Sequence, residues 1–139
     1  MNNNQVNILH PADPGTVYAL IGGMPAFRRL ADAFYRRVEG DSFLRPMFQP
    51  DLEQAREHLA LFLAQYFGGP GDYSQQRGHP RLRMRHLPFH IGPAERDAWV
   101  GHMRGALDDA AIPEPARAMM EEYFERSATF LMNAGSRTT

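Results

Sequence analysis

At 139 residues the chain is long enough for one domain with its own core, removing roughly 68% of its unfolded surface from water. Its 15 basic residues, all arginine, nearly balance 16 acidic ones, and the net charge of -1 gives no general field for nucleic acid or an anionic membrane. The absence of cysteine excludes a disulfide framework, an iron–sulfur cluster, a thiolate nucleophile and any cofactor attached through CxxCH, so a metal must be held by other side chains. No apolar run approaches the roughly 20 residues of a membrane span. The start MNNNQVNILHPADPG lacks the basic and apolar regions of a signal peptide, so a cytoplasmic location is expected.

Residues 1–14 are Asn-rich and without periodicity, and read as a flexible extension. A domain is expected over 15–135, with a flexible tail at 136–139. TVYALI forms a short apolar turn ending at Gly22 and Gly23, and Pro25 opens a helix. There Phe27, Leu30, Ala31, Phe34, Tyr35 and Val38 recur at helical spacing, and Gly40 ends it. FLRPMFQP is a corner, because Pro46 and Pro50 each remove a donor and restrict the residue before. Asp51 is expected to cap a second long helix with the stripe Leu52, Ala55, Leu59, Phe62, Leu63 and Tyr66, stopping at Gly68 and Gly69.

GDYSQQRGHPR reads as a turn-rich connection, followed by a short apolar and basic segment, LRMRHL, that Pro88 terminates. Pro93 starts a third long helix with Trp99, Met103, Ala106, Leu107 and Ala110 inward. A fourth is expected from about Pro113 to Asn133, burying Ala116, Met120, Tyr123, Phe124, Ser127, Phe130 and Leu131. No period of two persists, so the fold class is all-α with four main helices.

Six histidines are the candidate chemical groups. His10 falls in the extension and His102 only loosely on a buried face. His86 and His90 are four apart, but Pro88 breaks the helix that would put both on one side, and no HExxH motif exists for zinc. His86 ends a short helix among Leu82, Leu87, Phe89 and Ile91, so its neutral imidazole projects from an apolar wall. That suits an axial haem ligand; a buried histidine bonded to a carbonyl is the plainer alternative on these residues alone.

The two Gly-Gly breaks, the Phe34-Tyr35 pair, the block YFGGPGDYSQQRGHPRLRMRHLPFHI and the following ERDAW together resemble a group II truncated haemoglobin over residues 16–133. The order and spacing across Gln65–Trp99 are specific to that family, whereas any one motif is weak. The resemblance implies a two-on-two helical sandwich around a haem b (iron protoporphyrin IX). His86 matches the proximal ligand, its second nitrogen donating to a carbonyl such as that of Leu82. Tyr35 and Trp99 match the distal hydrogen-bond donors, though either alone reads equally as a core aromatic. Ala55 takes the place where other globins carry a distal histidine. Phe48, where some relatives have tyrosine, packs on the haem edge and supplies no third donor.

Leu59, Phe62, Leu82, Ile91 and Met103 are then expected in the haem wall, and Arg85 beside a propionate. His58, Tyr66, Tyr73 and His79 are further rim candidates. The implied function is binding of O2 and other diatomic gases for O2, NO or peroxide redox chemistry in preference to bulk transport. Such a cycle needs a reductase partner, because no flavin or nicotinamide fingerprint is present. A homodimer is compatible with the sequence. A haem-based gas sensor or interaction module without turnover is the alternative, and the residues do not choose between them.

Overall fold

The computed structural model describes residues 15–135, so the expectations for 1–14 and 136–139 lie outside the described residues. Among the described residues there are seven α-helices and no strand. They are α1 (Val17–Leu20), α2 (Met24–Glu39), α3 (Glu53–Tyr66), α4 (Asp72–Arg77), α5 (Leu82–His86), α6 (Pro93–Asp109) and α7 (Ala116–Phe130), with a 3-10 turn at Arg45–Met47. None is long and apolar enough to cross a membrane. The four long helices are those expected, and they pair as α2 on α3 and α6 on α7, with α2 also packed on α6. This is the two-on-two sandwich.

The expected stripe of α2 is buried along its whole length, from Phe27 to Val38, and meets Met103, Ala106 and Leu107 of α6 and Met120 and Phe124 of α7 in one core. Thr16 caps α1, its hydroxyl accepting from Ala19 N at 3.0 Å. Tyr18 N donates to Phe67 O at 3.0 Å, so α1 is fixed against the end of α3. Gly68 permits this: its φ is +99°, and a Cβ there would lie 2.7 Å from Thr16 Cγ2.

At the corner, Arg45 Nη1 donates to Gln49 O at 2.9 Å and Nη2 to Pro50 O at 2.8 Å. These bonds satisfy carbonyls that the prolines exclude from a helix. Leu44 is buried at this corner, while Phe43 is exposed. Asp51 does serve the start of α3, accepting from Glu53 N at 2.9 Å, although the helix begins one residue later than a cap at Asp51 would place it.

Three expectations are corrected. The connection after Gly71 contains a helix, α4, whose single turn and a half is too short for a periodic signal. The last helix starts at Ala116 and ends at Phe130, because Pro113 and Pro115 disfavour helical backbone at the residues before them, Ile112 and Glu114. Phe130 is 57% exposed and lies under the Arg83 guanidinium at 5.3 Å, not on the inner face. It stands two residues after buried Ala128, about 200° around the helix, and so points the other way.

Candidate functional site

Between α3, α5 and the α6–α7 pair lies a cavity of about 280 Å³. His86, Tyr35, Trp99, Phe48, Leu59, Phe62, Leu82 and Ile91, all named on the family resemblance, line it. Phe34, Leu44, Met47, Phe89, Tyr123 and Leu131 complete most of its apolar surface. Several of these carried a core signal in the sequence, but nothing in it distinguishes a residue facing a cavity from one facing another side chain.

His86 is the last residue of α5, and its Nδ1 lies 2.6 Å from the Leu82 carbonyl one turn earlier. A carbonyl only accepts, so Nδ1 carries the hydrogen and donates, and the neutral ring keeps its lone pair on Nε2. The ring is oriented by its own helix, and Nε2 is the nitrogen left for a ligand bond.

Tyr35 comes from α2 and Trp99 from α6. Tyr35 packs edge-on against Phe34 at 4.9 Å and Phe48 at 5.5 Å, and Trp99 against Phe34 at 5.7 Å and Phe124 at 5.8 Å. Both are held on several sides by aromatic rings. Burial pushes the Tyr35 hydroxyl up to about 12, against a smaller opposing pull from Arg56, so at neutral pH it remains a protonated donor. The indole N–H of Trp99 is a donor at any pH.

Other expected residues lie elsewhere. Met103 is fully buried in the helical core, and Ala55 is half-buried against that core, so neither lines the cavity. Arg85 is also absent from the lining; its Nε donates to Pro80 O at 2.8 Å and its Nη2 to Arg77 O at 3.2 Å, bracing the loop into α5. His58 receives Arg77 Nη1 at 2.9 Å, and desolvation first, then Arg77 and Arg85, hold its imidazole below the ordinary histidine range. His79 accepts from Arg81 N at 3.1 Å, Tyr73 is buried against Phe62, and Tyr66 stacks on Tyr123.

Two contributions were not readable in the sequence. Asn133, beyond the end of α7, donates from Nδ2 to the carbonyls of His86 at 3.1 Å and Phe89 at 2.8 Å. Its Oδ1 accepts from Ile91 N at 2.9 Å, so one side chain closes the α5–α6 connection. Glu95, almost fully buried, also lines the cavity and accepts from Gly92 N at 3.0 Å, completing the start of α6.

His86 offers one imidazole in an apolar wall, so a metal held there must bring its other ligands with it. A planar iron macrocycle does so, and the aromatic and aliphatic lining, the oriented nitrogen, the buried Tyr35 phenol and the half-buried Trp99 indole fit a haem. The comparisons agree. The chain matches the bacterial-like globin family over residues 16–133. It is 37% identical to the group 2 truncated haemoglobin of Bacillus subtilis over 111 residues, covering 80% of this chain and 84% of that protein. The crystal structure of a haemoglobin from Chloroflexus aurantiacus is 60% identical, with a TM-score of 0.84, covering 86% of this chain and 98% of that one. The group II truncated haemoglobin of Bacillus anthracis superposes with a TM-score of 0.87 at 36% identity, covering 91% and 97%.

Proposed function

This chain belongs to the bacterial-like globins, as a group II truncated haemoglobin, and on that premise we propose that it retains O2 and other diatomic gases for redox chemistry instead of carrying O2 in bulk. The family implies haem and gas binding; the assignment of residues is our reading. His86 is the proximal ligand of a haem b held without covalent attachment, since the sequence has no cysteine to form a thioether. When bound, the haem supplies an iron with one open position for O2, NO or CO.

The observation that carries the proposal is the His86 ring, fixed through Nδ1 and leaving Nε2 to an apolar cavity that also holds the Tyr35 and Trp99 donors. The phenol O–H and the indole N–H are both donors at the wall of an otherwise apolar cavity, so together they favour a guest that accepts hydrogen bonds. The phenol and indole orient that guest from two helices. Guest release is then slow, which argues against bulk transport. Electrons come from a separate reductase.

The test is haem titration of the full chain. The wild-type protein is expected to give a Soret band at one haem per chain that acid-butanone removes, and His86→Ala to lose stoichiometric binding or change the ferrous spectrum. Stoichiometric haem with an unchanged ferrous spectrum in His86→Ala overturns the ligand assignment.

A further inference from the structure

Tyr66 and Tyr123 are stacked with ring centroids 4.0 Å apart and planes inclined by 29°. Tyr123 of α7 lines the cavity. Tyr66, the last residue of α3, does not line it and is 50% exposed. The two phenols therefore span the wall, one at its inner surface and one in water.

Their surroundings confine an oxidation to the pair. Phe67 meets Tyr66 and Tyr123 edge-on at 5.0 and 5.4 Å, Phe62 lies 6.4 Å from Tyr66, and Phe124 lies 5.9 Å from Tyr123. A benzene ring is far harder to oxidise than a phenol, which loses an electron and its hydroxyl proton together. The Tyr123 hydroxyl has Ser127 as a hydrogen-bonding neighbour, and Tyr66 has solvent, so each phenol has somewhere to put a proton. Tyr35 and Trp99 also line the cavity, but the rings they touch are phenylalanines, so an oxidation there has no phenol or indole in contact to move to.

We propose that Tyr123 and Tyr66 form a two-ring relay that carries oxidising equivalents from the cavity to the surface, giving the protein a peroxide-dependent oxidation of reductants too large to enter. This rests on the haem reading above, and hydrogen peroxide is the oxidant. The balance is H2O2 + 2 TyrOH → 2 H2O + 2 TyrO•: the O–O bond breaks with gain of two electrons and two protons, and each phenol gives one of each. Two molecules of an external one-electron reductant, a small phenol or a reduced metalloprotein, each deliver an electron at Tyr66, the first passing on to Tyr123, and water supplies the two protons. Without reductant, the stacked phenoxyl rings couple between carbons ortho to oxygen, and the resulting internal dityrosine leaves the chain two hydrogens lighter.

The experiment treats the haem-loaded full chain with hydrogen peroxide in two arms. Without reductant, dityrosine fluorescence and a cross-linked pair of peptides carrying Tyr66 and Tyr123 are expected by mass spectrometry. With ferrocytochrome c, a reductant too large for the cavity, peroxide-dependent oxidation is expected. Tyr66→Phe, which keeps the stacked ring, should lose both signals and bleach its haem faster under peroxide. A chain with a Soret band that forms no Tyr66–Tyr123 cross-link, or a Tyr66→Phe variant that oxidises ferrocytochrome c at the wild-type rate, overturns the relay and leaves the haem reading standing. Absence of a Soret band overturns both.

Discussion

Trp99 and Tyr35 are the residues at which packing and binding roles separate most cleanly, because each reaches the same cavity from a different helix and each can lose its donor while keeping a ring. A hydrogen bond to a charged acceptor is worth about 1.5–3 kcal/mol, and about 1.4 kcal/mol is tenfold in an equilibrium. Dioxygen on ferrous haem carries partial negative charge, so Trp99→Phe should raise the O2 dissociation rate in stopped-flow by about tenfold or more. Carbon monoxide, a poorer acceptor, should respond much less. Because both donors address one small guest, Trp99→Phe and Tyr35→Phe should be non-additive in a double-mutant cycle. Equal changes for the two gases, or none, would make Trp99 a packing residue. The His86–Leu82 bond is one that the family resemblance implies, and the structure has it, with donor and acceptor one helical turn apart.

At the scale of the element, α5 has five residues, too few for a helix to be stable by itself, and no side chain caps its start at Arg81. It is held instead by contacts from outside: Arg85 on the loop before it and Asn133 on the connection after it. Asn133→Ala removes three side-chain hydrogen bonds and leaves the Ile91 N–H without this acceptor. We expect a loss of about 1–3 kcal/mol in denaturant unfolding, with faster haem transfer to an acceptor protein. Unchanged stability and transfer would mean that water replaces the amide without cost. Arg85→Ala should speed haem transfer modestly, through the loosened loop at Pro80 and Arg77, and identical transfer rates would count against that bracing role. These contacts also mark the limit of sequence reading. The four long helices were legible because each repeats its apolar signal over several turns. The α4 helix repeats nothing, and Asn133 lies 47 residues from the His86 carbonyl it binds, with no local pattern to announce the contact.

For the whole molecule, most of the expected wall residues line the cavity but Met103 does not, and the partners of the rim arginines and histidines are set by packing, because a long side chain can turn to several of them. Those partners set the acid response. Asp41, at the end of α2, is held below the ordinary carboxylate range first by its hydrogen bond with His102 of α6, whose Nε2 lies 2.7 Å away, and then by Phe43 N. Asp109 is likewise lowered by Arg37, joining the end of α6 to α2. Carboxylates depressed in the folded state stabilise it above their unfolded pKa of about 3.9, and that stability is lost as pH falls through the folded values. His58 acts in a higher window. Desolvation and the Arg77 and Arg85 charges lower its folded pKa, so above about 6.5 it is neutral in both states and contributes nothing. As pH falls below that, the unfolded chain takes the proton first and the fold loses stability until the folded imidazole protonates. Melting temperature should therefore fall in two stages, one beginning near pH 6.5 and one below about pH 4. His58→Gln should flatten the upper stage and leave the lower one in place. If the upper stage survives that substitution unchanged, desolvation and the Arg77 and Arg85 charges are not what sets it and another group titrates there.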